Sequence, residues 1–395
     1  MLTRIFKMEA LEYLLRRNMK KILLLLTIAF IFSGVSLYAQ AAQNYFDNGK
    51  RLFEQGNYDE AIAELSEAIR LDPALAEAYA YRARAYVGDN NDQALSDANR
   101  AIQLNPRLAM GYFARGNMYS DNEELDRAIA DYTEAIRLDP EYAMAYNNRG
   151  TVYSDKNDYD RAIADFTEAI KLNPHDAMAY NNRGAAYGDR NDYDRAIADF
   201  TEAIRLDPQD VMAYYNRGAT YGQKGDYDKA ITDYTQAIRL DPQFVPAYYN
   251  RGNAYGKNGE YDNAISDFTE AIELDSQDAT AYNNRGTAYG QKGEYDRAIA
   301  DFTLAITLDP QDEMAYYNRG AAYGQKGEYD RAIADFSVAI MLDPQFLKAY
   351  NNRGAMYAQK GEYDNAIADF EFVLMIDPNN QEARKNLASA RQANP

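Results

Sequence analysis

Few residues in this sequence have the types and spacing that metal binding requires. The single histidine, His175, follows a proline, and the chain has no cysteine, so the ligand set of a zinc or copper site is missing. The run Asp-Lys-Asn-Asp-Tyr-Asp at 155–160 begins like a calcium loop. It has no glycine at its sixth position, and Phe166 stands where the bidentate glutamate belongs. We therefore expect no bound metal and no cofactor.

Carboxylates are the most abundant groups that could act as general acids or bases, with 61 Asp and Glu residues. The prominent ones return at a fixed spacing along the chain, whereas a catalytic pair would occur once. The recurring Gly-Gln-Lys-Gly segments, as at 222–225, lack the preceding strand and the spacing of a phosphate-binding loop. The sequence therefore predicts no enzymatic activity and no small-molecule substrate.

An arginine and an aspartate recur together, sixteen residues apart in most copies. Because the partner is supplied each time and an unpaired buried charge is costly, we interpret them as structural ion pairs between two helices. A basic stripe that binds a ligand is the alternative. The pairs assigned in this way include Arg149 with Asp165, Arg183 with Asp199, and Arg217 with Asp233.

Asparagine directly precedes this arginine in seven consecutive copies. Its side chain offers two donors and an acceptor, so a spaced row can hold the amides of an extended peptide. The alternative is that these asparagines cap or bridge neighbouring helices. The row consists of Asn148, Asn182, Asn216, Asn250, Asn284, Asn318 and Asn352. The tyrosines before three of them, Tyr215, Tyr249 and Tyr317, are predicted to add amphipathic contact area.

These residues belong to a unit of 34 residues that is present ten times. The second unit has 33, because one residue is missing between Tyr86 and Ala94. In the fourth unit, Tyr146, Gly150 and Tyr153 lie at i, i+4 and i+7, on one face of a first helix. The ten units are residues 42–75, 76–108, 109–142, 143–176, 177–210, 211–244, 245–278, 279–312, 313–346 and 347–380.

A second helix follows within each unit. In the fourth unit it begins after Asp158, which is a suitable N-cap, and Pro174 ends the unit because proline cannot continue a helix. Gly150, Ala162 and Ala169 are small, and we expect the two helices to approach closely where they lie. One unit cannot bury its own apolar faces, so stability should come from stacking on neighbours.

The pattern resembles the tetratricopeptide repeat: a 34-residue period, an aromatic residue near the start, Gly or Ala eight places in, then Tyr, Ala, aromatic, Ala and Pro. The family's usual leucine before that Gly or Ala is replaced here by the recurring arginine. Over residues 42–380, the resemblance implies an all-α fold, a right-handed superhelical solenoid of ten helix-turn-helix repeats with first helices on the concave side. Residues 381–395 are expected to form a capping helix and tail.

The asparagine row is similar to the asparagine ladder in the repeat superhelix of O-GlcNAc transferases, which holds peptide backbone. The sequence has no counterpart of the transferase's catalytic domain. The similarity implies a non-catalytic scaffold that binds a peptide segment or a partner protein in the concave groove. A self-assembling envelope protein and a regulatory subunit of a separate envelope enzyme are the alternatives.

Charge narrows the class of partner. The net charge is −19, and residues 1–40 contribute +4, so the remainder carries −23. Such a chain repels phosphate backbones, and no Lys/Arg stripe offsets this. We predict no binding to nucleic acid; a protein or an extended peptide is the expected partner, and homo-oligomerisation stays open.

Residues 1–41 have the three parts of a secretory signal peptide. Basic residues precede an apolar run at 22–32, and Ala39 and Ala41 form an A-x-A cleavage site. The run of 11 residues is short for a membrane span, which needs about 20. Met19 is a second candidate start. We therefore predict export to the periplasm or secretion, with an uncleaved membrane anchor as the alternative.

Overall fold

The computed structural model describes residues 18–21, 38–86 and 91–394, which form helices and turns and no strand. The helices that begin a repeat are α1 (38–54), α3 (Ala76–Ala85), α5 (Ala109–Asp121), α7 (Ala143–Asp155), α9 (Ala177–Asp189), α11 (Val211–Gln223), α13 (Val245–Lys257), α15 (Ala279–Gln291), α17 (Glu313–Gln325) and α19 (Leu347–Gln359). The helices that end a repeat are α2 (Tyr58–Leu71), α4 (Asn91–Leu104), α6 (Leu125–Leu138), α8 (Tyr159–Leu172), α10 (Tyr193–Leu206), α12 (Tyr227–Leu240), α14 (Tyr261–Leu274), α16 (Tyr295–Leu308), α18 (Tyr329–Leu342) and α20 (Tyr363–Ile376). A final helix, α21 (Gln381–Ala393), follows the repeats.

The chain divides into two units, residues 1–190 and 191–395. Within each unit, every helix packs against the next one along the chain. The predicted all-α fold of paired helix-turn-helix repeats is confirmed. Most of the predicted signal peptide lies outside the described residues; its described parts, 18–21 and 38–41, are helical. In the part of the chain that the structure describes, no helix is both long and apolar enough to cross a membrane.

The two helices of a repeat meet where a glycine faces an aromatic ring. A Cβ atom added to Gly150 of α7 would lie 2.8 Å from Cε1 of Phe166 in α8, and Phe166 is fully buried. Ala162 is buried in the same cluster as Phe166, so Gly150 and Ala162 lie where the two helices approach closely, as predicted. Ala169 is buried in a second cluster, with Ala179 of α9. The same contact pairs Gly116 with Tyr132, Gly218 with Tyr234, Gly252 with Phe268, Gly286 with Phe302, Gly320 with Phe336, and Gly354 with Phe370.

A residue with a left-handed backbone ends the first helix of most repeats. Glycine occupies this place in six turns, with φ near +80° as at Gly225, because it has no Cβ penalty there. Asn157, Asn191 and Glu123 adopt the same conformation, with φ of 58° to 60°. After Asn157, the side chain of Asp158 accepts a hydrogen bond from the backbone N–H of Arg161, which confirms the predicted N-cap of α8.

Replacing Glu123 by glycine is expected to stabilise the protein by about 1 kcal/mol, because a left-handed conformation penalises a residue that has a Cβ atom. The midpoint of urea unfolding measures the change. Gly225→Ala is the matched control, since it places a Cβ at a φ of +80° with no atom within 4 Å, and it should destabilise by a similar amount. Equal midpoints for wild type and Glu123→Gly would contradict the argument.

Tyr142 carries a buried hydroxyl oxygen without a hydrogen-bond partner, and burial raises the pKa of Tyr142 to about 12. Tyr142→Phe is therefore expected to stabilise the fold by about 1 kcal/mol at pH 7. The folded pKa lies above the ordinary value of about 10, so the wild type should lose further stability between about pH 10 and 12. Thermal unfolding at pH 7 and pH 11 tests both effects; a less stable variant at pH 7 would show that the hydroxyl has a partner.

The last helix, α21, closes the second unit. The side chain of Asn380 accepts a hydrogen bond from the backbone N–H of Ala383 and caps its start. Leu387 and Ala390 are buried and pack against a cluster that contains Phe370 of α20. Its other residues are mostly exposed, which is the arrangement of a capping helix.

Candidate functional site

Eight of the recurring arginines make two hydrogen bonds each with their aspartates. In Arg149, Nε donates to Oδ2 of Asp165 at 2.7 Å and Nη2 donates to Oδ1 at 2.8 Å. Arg217 and Asp233 have the same geometry, at 2.8 Å for both bonds. Arg183 and Asp199 belong to different units, so their pairing stays a prediction. The further bidentate pairs are Arg82–Asp97, Arg115–Asp131, Arg251–Asp267, Arg285–Asp301, Arg319–Asp335 and Arg353–Asp369.

A third bond links each pair to the preceding repeat. Nη1 of Arg149 donates to the hydroxyl of Thr133 in α6 at 2.9 Å, so one guanidinium joins α6, α7 and α8. The side chain of Arg149 is 15% exposed, and the ring of Tyr146 lies 5.7 Å from its guanidinium carbon. The hydrogen bond with Asp233 holds the pKa of Arg217 above its usual value. These arginines hold helices together, and the geometry gives no support to the alternative of a ligand-binding stripe.

The asparagine row links consecutive first helices. Nδ2 of Asn250 donates to the hydroxyl of Tyr215 in the preceding repeat at 2.9 Å. Nδ2 of Asn318 donates to Oδ1 of Asn283 at 3.1 Å. Each acceptor lies 35 residues before its donor. The same link joins Asn182 to Asn147, Asn284 to Tyr249, Asn352 to Tyr317, and Asn386 of α21 to Asn351.

One member of the row, Asn148, departs from this pattern. Asn148 donates to Oδ1 of Asn117, 31 residues earlier, at 3.0 Å. The equivalent link of Asn216 would span the two units and stays a prediction. The described asparagines therefore bridge neighbouring helices, which was the alternative in the sequence analysis. Any binding of a peptide by these side chains must use the polar atoms that the bridges do not occupy.

The three tyrosines act as acceptors for these links. The ring of Tyr215 also packs edge-on against Phe244, with centroids 5.1 Å apart, and that of Tyr317 lies 4.9 Å from Phe346. The sequence analysis predicted that Tyr215, Tyr249 and Tyr317 add contact area for a partner. It did not predict that their hydroxyl oxygens accept hydrogen bonds from the asparagines of the next repeat. The alternation of Asn and Tyr at the position before the row was the available signal, because both residues can accept a hydrogen bond.

The row lines clefts between consecutive first helices of the second unit. A cleft of about 370 Å³ is bounded by α11 and α13 and includes Asn250. A second cleft, of about 350 Å³, is bounded by α13 and α15 and includes Asn284. Asn253 and Lys257 of α13 line both, so the two clefts are neighbours along the same helix. In the first unit, Asn148 lines a cleft of about 370 Å³. We call the first-helix surface that carries the row the groove face.

A second inter-repeat link was missed by sequence analysis. Nζ of Lys326, just after α17, lies 2.6 Å from Oδ1 of Asp296 in α16, 30 residues earlier. Asn258 makes the neutral version with Asp228 at 2.8 Å. Asp296 is 86% exposed in this pair, so solvent screens the attraction and each such link contributes little to stability. These links therefore align repeats more than they stabilise them.

The residues considered for metal chemistry remain apart. His175 is exposed in the turn after α8. Across residues 38–86 and 91–394, no cluster of three or more His, Asp and Glu side chains is placed to hold a metal ion.

Models of known protein families match these repeats. A family model described as TPR repeat matches residues 49–90, 116–156, 186–225 and 220–259. A second, described as tetratricopeptide repeat, matches residues 143–176, 245–278, 279–312, 314–346 and 347–380, and a third of the same description matches 166–198. A search of curated proteins found no match.

Solved structures include similar folds. The C-terminal part of a TPR repeat-containing protein from Cytophaga hutchinsonii is 21% identical with a TM-score of 0.51, covering 61% of this chain and 98% of that one. A tetratricopeptide repeat protein from Parabacteroides merdae is 22% identical with a TM-score of 0.50, covering 63% and 98%. YrrB, described as a TPR protein with an unusual peptide-binding site, is 28% identical with a TM-score of 0.43, covering 49% and 97%. Together with the family matches along most of its length, the repeat fold makes this chain a member of the tetratricopeptide repeat family.

Proposed function

We propose that this protein is a non-catalytic scaffold whose groove face binds an extended segment of a partner protein. Tetratricopeptide repeats typically serve protein–protein interaction, which sets the class of function. One observation carries the proposal further. Asn250 and Asn284 line neighbouring clefts between first helices, and their links to the preceding repeat use only the amide nitrogen of each side chain.

The unused atoms suit a peptide backbone. In Asn250, Asn284, Asn318 and Asn352, Nδ2 donates to the preceding repeat, and Oδ1 accepts no bond from the described residues. Each side chain is half-buried and held by its own link, so little rotamer freedom remains to be lost on binding. A backbone N–H of an extended peptide can donate to such an oxygen whatever the peptide's side chains.

Bridging and binding can be separated by two matched sets of variants. Asn250→Ala with Asn284→Ala removes the links and the free oxygens. Tyr215→Phe with Tyr249→Phe removes the acceptors of the same two links and keeps both asparagines. The probe is a pool of fluorescein-labelled random 15-residue peptides, and fluorescence anisotropy measures binding to the full chain.

We expect the alanine pair to weaken binding at least tenfold and the phenylalanine pair to change it less than threefold. Circular dichroism must show the same helix content for both pairs. Equal losses in the two pairs would show that the row only bridges repeats, and equal affinity of the alanine pair and wild type would exclude the asparagines from the binding face.

We also propose that the chain is exported, on the strength of its basic and apolar N-terminal segment and A-x-A site. Expression of the full chain in a Gram-negative host, followed by fractionation and mass spectrometry, tests this. A periplasmic or secreted product that begins at residue 42 is expected. A cytosolic product that begins at Met1 or Met19 would contradict cleavable export, and a membrane-bound product of that length would favour the uncleaved anchor.

A further inference from the structure

The exposed face of the even-numbered helices changes character along the second unit. In α10 and α12 two surface positions, three residues apart, are polar: Glu202 with Arg205, and Gln236 with Arg239. The first unit follows the same rule, and its pairs Glu134–Arg137 and Glu168–Lys171 are in contact at 2.6 Å and 3.0 Å. In the last three repeats these positions hold Leu304 and Thr307, Val338 and Met341, and Phe372 and Met375.

Three of these apolar side chains remain exposed, whereas Val338 and Phe372 are half-buried. Leu304 is 46% exposed, Met341 70% and Met375 67%, and Ile376 at the end of α20 is 55% exposed. The earlier repeats fold with charged residues at the same positions, so the scaffold does not require apolar ones there. We call the surface formed by Leu304, Val338, Met341, Phe372, Met375 and Ile376 the apolar face.

A tyrosine of a first helix borders the apolar face. Tyr350 of α19 packs against the cluster of Ala339 and Ile340 in α18, and its ring lies 4.3 Å from that of Phe372 in α20. On the other side, Tyr316 of α17 packs against the same α18 cluster. Tyr350 therefore packs against residues of both α18 and α20.

The capping helix does not cover this surface. Leu387 and Ala390 of α21 pack with Ala366 and Phe370 of α20, whereas Met375 and Ile376 stay exposed. Contiguous exposed apolar surface on a folded protein commonly marks an interaction site. The apolar face is also formed by the even-numbered helices, so it is separate from the groove face.

An acidic rim borders the apolar face. The helices α16, α18 and α20 end at Asp309, Asp343 and Asp377, and each carboxylate accepts a bond from a backbone N–H two residues later. In α10 and α12 a basic residue stands two positions before the equivalent aspartate, as Arg205 does before Asp207. Threonine or methionine replaces it in the last three repeats, which leaves the rim without that compensating charge.

From this combination, we propose that the apolar face docks an amphipathic helix of a partner protein, with apolar residues on one side and Lys or Arg along its edge. The apolar side chains of the partner helix would cover the exposed methionines, and its Lys or Arg residues would lie against the acidic rim. A second copy of this chain would bring two acidic rims together at a net charge of −19 each, and an anionic lipid surface would be repelled in the same way.

The test restores the polar residues of the earlier repeats. Val338→Glu with Met341→Arg, and Phe372→Glu with Met375→Arg, copy the pair in α10 and leave the net charge unchanged. The probe is a fluorescein-labelled 18-residue helix of leucine and lysine with all leucines on one side, and a scrambled peptide of the same composition is its control. Fluorescence anisotropy against the full chain at low and high salt gives the affinities.

We expect the restored variant to bind the probe at least tenfold more weakly than wild type, with the scrambled peptide bound equally weakly by both. Changing Asp309, Asp343 and Asp377 to Asn should weaken binding and reduce its salt dependence, and the turns should survive because Asn173 makes the same cap. The groove pair, Asn250→Ala with Asn284→Ala, should leave this binding unchanged. If the substitution at Phe372 disturbs the fold, the two α18 substitutions alone should still weaken binding of the probe.

Two results would overturn the proposal. Equal affinity of wild type and restored variant for the probe would show that binding follows overall charge alone. Concentration-dependent dimers in light scattering that disappear in the restored variant would make a second copy the occupant. Neither result would affect the groove face, because its test uses other residues and another probe.

Discussion

Replacing Asp267 by alanine is expected to destabilise its repeat by about 3–5 kcal/mol, because it leaves a charged arginine without its counter-ion in a protein interior. Asp267 accepts both bonds from Arg251, at 2.8 Å and 2.7 Å, and the arginine side chain is only 15% exposed. The remaining bond to Thr235 provides no negative charge. Hydrogen exchange of amides in α13 and α14, together with urea unfolding, measures the local and overall loss.

Two controls separate the buried charge from other effects of the substitution. Asp262→Ala removes a carboxylate that pairs with Lys292 at 2.5 Å but is 84% exposed, and it should change stability far less than Asp267→Ala does. Arg251→Leu combined with Asp267→Ala removes both charges and restores the leucine usual in the family. It should recover most of the loss; a double variant as unstable as Asp267→Ala would exclude the unpaired charge as the cause.

Gly252→Ala is expected to destabilise the protein by about 1–3 kcal/mol through overpacking between α13 and α14. The added Cβ would lie 2.9 Å from Cε1 and 3.0 Å from Cζ of Phe268, a ring that is 2% exposed and would have to shift. The midpoint of urea unfolding, followed by far-ultraviolet circular dichroism, gives the change.

A second glycine of α13 is expected to respond to the same substitution in the opposite way. Gly256 lies one turn later in α13, and a Cβ added there meets no atom within 4 Å. Gly256→Ala should therefore stabilise the protein by about 0.5–1 kcal/mol, because alanine loses less backbone entropy than glycine in a helix. A loss of stability in both variants would show that the contact with Phe268 does not distinguish the two positions.

The contacts within a repeat could be predicted from sequence because both partners recur at one short spacing. The period of 34 residues identified the helix pairs, and the helix periodicity placed Gly150 and Ala162 on facing surfaces. Arg149 and Asp165 could be matched for the same reason, since an aspartate accompanied the arginine in each copy. Local periodicity determines which face of a helix is buried, so these inferences needed no knowledge of how repeats stack.

The contacts between repeats could not be predicted in this way. The acceptor of Asn250 lies 35 residues earlier and that of Lys326 lies 30 residues earlier, and these spacings follow from the stacking of neighbouring helices, which the pattern within one unit does not specify. The substitution of charged residues by Val338 and Met341 was visible in the sequence. Whether this substitution indicates a binding surface depends on how exposed the apolar residues are, because an apolar residue at a buried position needs no partner.

The links between repeats make the repeats interchangeable. Asn284, Arg285 and Lys292 donate from one repeat to Tyr249, Thr269 and Asp262 of the one before. If residues 279–312 were excised, Asn318, Arg319 and Lys326 would come into the same register and meet the same three acceptors. Gain or loss of a whole unit by recombination would thus preserve every class of contact at the new junction, and the length of the groove face could change in steps of one repeat without a compensating mutation.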